Sequence, residues 1–174
     1  MTDNDRPESD ERRAFFQRMI GKKPEEPAQT GLPRPPWSIE ESEFLALCAQ
    51  CHACIDACPQ RLLKPSDEVD TRLKGRPVLD LSWGSCDFCG QCADVCTTNA
   101  INKQQGKKAQ AAPMLLGNCQ NLLGMDCNLC IEACPEQALI AQRQQHPILN
   151  KSRCSGCGEC VLSCQSHILV MAKR

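Results

Sequence analysis

The eleven residues CDFCGQCADVC, at positions 86–96, contain the pattern that decides the fold. Their four cysteines follow the spacing C-x2-C-x2-C-x3-C, and residues 154–164, CSGCGECVLSC, repeat it. Three thiolates at this spacing let a tight loop wrap a 4Fe-4S cubane, while the fourth Cys ligates a neighbouring cluster. Gly90 and Gly158 each follow the second Cys of their run, where the backbone must approach the cluster closely. The pattern therefore predicts iron–sulfur clusters.

All sixteen cysteines fall into four such runs, numbered here in chain order. Run one, at 48–58, has the same spacing, whereas run three, at 119–134, has seven residues instead of two in its first gap. That loop must bulge, which leaves two interpretations of Cys119: a ligand in an altered environment, or a spare thiol beside a labile or three-iron cluster. We favour the ligand, because every other Cys belongs to a complete run.

Zinc and disulfides are the alternative uses of so many cysteines. Zinc sites typically place two ligands on each of two separated knuckles, whereas these runs hold four cysteines in a short loop, repeatedly. Disulfides are rare in the reducing cytoplasm, the location predicted below. Spacing and repetition favour iron–sulfur clusters over both.

An internal repeat indicates which runs share clusters. Runs one and three contain the near-identical CIDACP (54–59) and CIEACP (130–135), whereas runs two and four share C-x2-C-G-x-C and lack the Pro. This alternation predicts a duplicated two-cluster unit in which paired runs exchange their fourth Cys. The predicted ligands are Cys48, Cys51, Cys54 and Cys96 for cluster 1; Cys86, Cys89, Cys92 and Cys58 for cluster 2; Cys119, Cys127, Cys130 and Cys164 for cluster 3; and Cys154, Cys157, Cys160 and Cys134 for cluster 4.

The repeat also divides the chain. Residues 1–36 hold six of the twelve prolines and charges of both signs, which is typical of a disordered arm. Residues 37–102 and 113–174 are predicted to form two ferredoxin-like units with two clusters each, joined by a polar linker at 103–112. Short β segments are expected at 78–81, 100–101, 138–140, 148–149 and 168–170. The predicted fold is a small α+β protein of tandem bacterial ferredoxin-like two-cluster units, with the clusters as cores.

Composition excludes several classes of protein. Leu, Ile, Val and Phe make up just under 20% of the chain, too little for a large hydrophobic core without bound metal. Six aromatic residues and a net charge of -1 argue against nucleic-acid binding. No apolar stretch follows Arg12 and Arg13 to complete an export signal or to span a bilayer, so a cytoplasmic location without membrane insertion is predicted.

An enzymatic role is not expected. The sequence contains no Ser/His/Asp or Cys/His constellation, no P-loop and no dinucleotide fingerprint. With all sixteen thiols assigned to iron, no nucleophilic Cys remains. Four oxidised clusters would lower the net charge from -1 to about -9, because each cubane with four thiolates carries about -2. That charge could steer a basic partner or serve only solubility.

A few further residues have specific expectations. Ser38 followed by Glu41 predicts a capping box at the start of a short helix that leads to Cys48. Trp37 and Trp83 are expected to cover the small cores, and Phe88 to shield the cluster of run two. His52 lies inside run one and is expected either to donate a hydrogen bond to sulfur or to be merely exposed.

Four features of the sequence together resemble the NapF family. They are the segment RPPWS at 34–38, the Glu43-Phe44 pair ahead of Cys48, the Arg12-Arg13 pair and the widened gap of run three. These are ferredoxin-type accessory proteins of the periplasmic nitrate reductase system, and the resemblance covers essentially the whole chain. It implies a cytoplasmic, non-catalytic protein carrying 4Fe-4S clusters. It further implies binding to the precursor form of the nitrate reductase catalytic subunit, and help in its maturation before export by supplying electrons or cluster material.

A second function class stays open. The same clusters would also suit an electron-transfer polyferredoxin that serves as one subunit of a larger oxidoreductase. The cysteine pattern is common to both classes, and only the family resemblance favours the accessory protein.

Overall fold

A computed structural model describes residues 32–173 of the 174-residue chain. Most of the predicted disordered arm, including Arg12 and Arg13, lies outside the described residues. Short helices and strands alternate with the cysteine loops. They are β1 (Arg34–Pro36), α1 (Glu41–Leu47), α2 (Ala53–Asp56), β2 (Leu63–Pro65), β3 (Pro77–Leu79), α3 (Gln91–Asp94), β4 (Ala109–Leu115), α4 (Leu129–Glu132), β5 (Leu139–Ile140), β6 (Ile148–Leu149), α5 (Glu159–Leu162) and β7 (Leu169–Lys173).

Two hairpins reflect the repeat seen in the sequence. Strand β2 pairs antiparallel with β3 between runs one and two, and β5 pairs antiparallel with β6 between runs three and four. The strands expected at 138–140 and 148–149 are confirmed to within a residue, and the one expected at 168–170 extends to Lys173. Of the segment 78–81, only residues 78 and 79 lie in a strand. The segment 100–101 is reduced to a single bridge between Ile101 and Ser38.

A three-stranded sheet in the order β1-β4-β7 joins three segments whose pairing the sequence did not predict. Residues 34–36, expected in the arm, form β1, and residues 109–112, expected in the linker, open β4. Ala109 and Ala111 are fully buried. Their small side chains let the backbone pack closely, so a segment that is polar on average still contributes a buried strand.

Arg34 anchors the first half of the chain from within the core. Its guanidinium donates hydrogen bonds to both carboxylate oxygens of Glu41, at 3.0 and 2.8 Å, and to the carbonyl of Pro77 at 2.9 Å. It also lies 4.7 Å from the ring centroid of Phe44, which is itself fully buried. The hydrogen bonds of Arg34, which lies in β1, therefore connect this strand to α1 and β3.

The predicted capping box is not formed. The side chain of Glu40 caps α1 instead, accepting from the amide of Ser42 at 2.8 Å. Ser38 is held two residues before the cap position, Glu40, by its bridge to Ile101, and Glu41 is bound by Arg34. Tertiary contacts have therefore replaced the local capping pattern.

The two tryptophans differ. Trp37 is buried in the main core, as predicted, and packs edge-on against Phe88 with 6.0 Å between ring centroids. The expectation for Trp83 was wrong: it is 94% exposed. It lies in a bend beyond the end of β3. No helix in residues 32–173 is long and apolar enough to cross a membrane.

Candidate metal centres

Four cavities of about 320–370 Å³, measured with their open mouths, each have four cysteines in their walls. Each takes three cysteines from one run and the fourth from the other run of the same half. The groups are Cys48, Cys51, Cys54 and Cys96; Cys86, Cys89, Cys92 and Cys58; Cys154, Cys157, Cys160 and Cys134; and Cys119, Cys127, Cys130 and Cys164. The structure thus brings together the same groups of four that the repeat predicted.

The chain positions the second Cys of three runs with the same backbone geometry. Both neighbours of that Cys have positive φ: 55° and 63° beside Cys51, 57° and 83° beside Cys89, and 80° and 91° beside Cys157. Such left-handed residues turn successive backbone N–H groups toward one side and create concavities that bind anions, iron–sulfur clusters included. Glycine adopts this conformation without strain, which explains its use at 156 and 158.

A second repeated turn follows the fourth Cys of every run. The residue three positions later has positive φ, and its amide donates to the carbonyl of that Cys at 2.9–3.4 Å. Those residues are Arg61, Asn99, Gln137 and His167. Three of the fourth cysteines also accept a backbone N–H at sulfur: Leu62 to Cys58 at 3.4 Å, Ile101 to Cys96 at 3.4 Å, and Ala138 to Cys134 at 3.2 Å. These donors are of the kind that tune cluster potential.

Burial and the proximity of other cysteines raise the pKa of several thiols. Burial, and after it the charges of neighbouring cysteines, raises the pKa of Cys54, Cys92 and Cys160 to about 12. The same causes raise the pKa of Cys130 to about 11. Thiols with such pKa values are protonated at neutral pH, so iron binding must release their protons.

Run three is built differently. Of the described residues, neither Asp126 nor Asn128 beside Cys127 has positive φ, and that of Asn128 is -119°. Residues 120–123 form a short 3-10 turn that takes up the extra length. The buried side chain of Asn121 accepts the amide hydrogen of Cys127 at 2.8 Å and so closes the bulge. Sequence reasoning missed Asn121, although an Asn inside a widened loop is a signal for such a contact.

The donor set suits a cluster better than a single ion. Thiolates of a zinc site all lie about 2.3 Å from the metal. Within residues 32–173, no group of three or more His, Cys, Asp or Glu side chains converges closely enough to hold one ion. All sixteen cysteines are free thiols, which removes the disulfide alternative. Thiols placed around a cavity, with backbone N–H groups directed at sulfur, fit a 4Fe-4S cubane.

Among the described residues, His52 shows no hydrogen bond to a cysteine sulfur. Its Nε2 lies 3.0 Å from the carbonyl oxygen of Gly75, and the residue is exposed. Phe88 packs between Trp37 and Lys107, whose Nζ lies 5.3 Å from the Phe88 ring centroid.

Comparison with known proteins assigns the family. Residues 47–101 and 125–169 match the family described as a 4Fe-4S dicluster domain. The ferredoxin-type protein NapF of Escherichia coli (strain K12) is 30% identical over 135 residues, which cover 75% of this chain and 79% of that protein. The chain belongs to the NapF family of ferredoxin-type proteins.

Other members of this ferredoxin-type group are comparably similar. The methylamine utilization ferredoxin-type protein MauM of Methylophilus methylotrophus is 32% identical over 147 residues, covering 75% of this chain and 65% of that protein. The ferredoxin-type protein NapG of Escherichia coli (strain K12) is 27% identical over 150 residues, with the same two shares. No solved structure matches. Cysteine pattern, dicluster match and relatives together identify a 4Fe-4S iron–sulfur protein of the electron-transfer type.

Proposed function

We propose that this NapF-family protein is a cytoplasmic, non-catalytic accessory protein with four 4Fe-4S clusters. It binds the precursor of the periplasmic nitrate reductase catalytic subunit and assists its maturation before export. The ligands are the four groups of four cysteines given above, including Cys119. A 4Fe-4S cluster supplies one-electron transfer at a potential set by its surroundings.

The observation that carries this proposal is the set of four cysteine-lined cavities. Every Cys of the chain lies in one of them, which leaves no thiol for covalent catalysis. Cys51 and Cys89 are exposed. Their exposure supports transfer of electrons or cluster material to a bound partner. With clusters bound, the protein carries about -9 charges, so a precursor with a basic surface would be attracted at low salt.

An anaerobic capture assay tests the partner. Cluster-loaded protein is offered the signal-bearing precursor of the catalytic subunit and the mature exported enzyme, and iron and sulfide are counted on the same sample. We expect preferential capture of the precursor, lost when Arg12 and Arg13 are both replaced by Gln. Equal capture of both forms, or of neither, would refute the maturation role.

Thiol alkylation tests the ligand exchange between runs. Replacing Cys58 with Ser should expose Cys86, Cys89 and Cys92 to alkylation, because Cys58 lies in their cavity and not in that of its own run. Replacing Cys96 is the matched control and should expose Cys48, Cys51 and Cys54 instead. Loss of protection within the mutated run itself would contradict the assignment.

The alternative, a polyferredoxin subunit of a larger electron-transfer chain, is favoured by one observation. A relative named for methylamine utilization is as similar to this chain as NapF is, so the shared core is not specific to one pathway. Capture of neither nitrate reductase form, with four stable and reversibly reducible clusters, would favour this function.

A further inference from the structure

The two halves of the chain meet where run two contacts run four. The amide of Cys86 donates to the carbonyl of Cys157 at 2.8 Å, so one cysteine from each of two cavities is joined by a direct hydrogen bond. Beside it, the hydroxyl of Ser85 donates to Glu159 Oε1 at 2.6 Å. We call this contact, formed by residues 85–86 and 157–159, the seam.

Close packing on both sides holds the run-four loop in the seam. A Cβ built on Gly158 would lie 2.6 Å from Cδ1 of Leu81, and one built on Gly156 would lie 2.6 Å from the carbonyl oxygen of Ala111. The amide of Ala109 also donates to the carbonyl of Ser155 at 2.9 Å. The loop is therefore fixed between β4 and the segment that leads into run two, with no room for a side chain at either glycine.

Within each half, the two cavities are neighbours as well. Cys54 and Cys92 line different cavities. Cys130 and Cys160 have the same relation in the second half. Each pair lies on two helices that pack against each other, α2 with α3 and α4 with α5.

We propose that the seam joins the two dicluster halves into one continuous path for electrons, in the order cluster 1, cluster 2, cluster 4, cluster 3. Across the seam, the path from Cys86 sulfur to Cys157 sulfur passes through two side chains, one hydrogen bond and a carbonyl group. With clusters bound, one electron would move at a time from a reduced cluster held by Cys86 to an oxidised cluster held by Cys157, with no bond broken and no proton moved. Ser85 and Glu159 are positioning residues that hold the seam closed.

This inference rests on the proposed four clusters and adds how they are connected. The ends of the path are then the cavities of Cys51 and Cys127, at opposite ends of the order, so a donor and an acceptor would use different surfaces. If the seam only packed the halves together, its opening would change stability but not the interaction between clusters.

The test compares the cluster-loaded protein with the double variant Ser85→Ala, Glu159→Gln. Glu132→Gln is the control, because it makes the same charge change in the corresponding helix of run three, away from the seam. After full reduction with dithionite, low-temperature EPR reports the magnetic interaction between clusters. Hydrogen exchange of the peptide containing residues 84–88, read by mass spectrometry, reports whether the seam opens.

We expect exchange of that peptide to rise about tenfold or more in the double variant, because a short hydrogen bond to a carboxylate is lost. The EPR broadening that the wild type and Glu132→Gln share should be partly lost, with iron and sulfide contents unchanged. An open seam with an unchanged spectrum would overturn the path. A seam that stays closed would overturn the role of Ser85 and Glu159. Failure of the four-cluster assignment would appear separately, as a low iron count.

Discussion

Removing Arg34 should destabilise the protein more than any other single change at a charged residue in β1 or α1. The Arg34→Ala variant loses three hydrogen bonds and the contact with Phe44, and it leaves the carboxylate of Glu41, only 11% exposed, without its partner. Breaking a buried ion pair from one side costs about 3–5 kcal/mol. A change of that size alters the unfolding equilibrium by roughly a hundredfold or more.

The expected cost can be divided by a second substitution. Glu41→Gln keeps an acceptor for Arg34 but removes the charge, so adding it to Arg34→Ala should recover part of the loss, because no bare carboxylate remains. Arg72→Ala is the matched control. Its bidentate partner Asp70 is also nearby in sequence, but the Arg72 side chain is 79% exposed, so solvent already screens the pair.

The assay must allow for irreversible cluster loss on unfolding. Bleaching of the cluster absorbance after a jump into urea, under anaerobic conditions, gives a rate for each variant. We expect Arg34→Ala to bleach at least tenfold faster than both the wild type and Arg72→Ala, with the double variant in between. Equal rates for Arg34→Ala and Arg72→Ala would show that the buried pair does not stabilise this half of the protein.

Four further substitutions, one of them a control, test other contacts. Gly156→Ala should destabilise the protein by about 2–4 kcal/mol and Gly124→Ala, its control, by about 1 kcal/mol, measured by the same bleaching assay. Both glycines have positive φ, but only at Gly156 would the new Cβ lie 2.6 Å from a carbonyl oxygen of β4. Asn121→Ala should make one cluster labile, seen as loss of about a quarter of the iron on anaerobic gel filtration. Asp80→Asn should cost about 1 kcal/mol at neutral pH. Hydrogen bonds from Lys64 and Ser82 lower the pKa of Asp80 to about 2, so their stabilisation is present above the unfolded pKa of 3.8 and is lost as the pH falls toward 2. The cost is small because the Lys64 side chain is 57% exposed and solvent screens the pair.

The cysteine groups could be predicted because their information is local. Three cysteines of each cavity lie in one loop, and the alternation of CIDACP and CIEACP with the Pro-free runs specifies the source of the fourth. The repeat also anticipated β3, β5 and β6, whereas β2, the partner of β3, was not predicted. That these cysteines hold clusters in the proposed pairing stays a prediction until the alkylation experiment is done.

The rest depends on contacts between distant residues, which leave little trace in a local pattern. The polar residues 103–108 suggested a linker, yet Ala109 and Ala111 follow them directly and are buried between β1 and β7. Ser38 matched a capping box, but its bridge to Ile101, more than sixty residues away, determines its place. Trp83 has a side chain that is usually buried, but it lies in a bend between β3 and run two and is exposed there.

Run three shows that this fold can position the second Cys of a run in two ways. In runs one, two and four, left-handed residues on both sides of the second Cys turn the backbone around the cavity. Run three lacks that conformation beside Cys127, and the Asn121 side chain bonds to the Cys127 amide instead. Gln50, His52 and Phe88 adopt the left-handed conformation with three different side chains, so in runs one and two it does not depend on one side-chain contact. The Asn121 contact, in contrast, is lost with one substitution. We therefore expect that loss of this one side-chain hydrogen bond makes the cluster of run three labile and leaves the other three cavities intact.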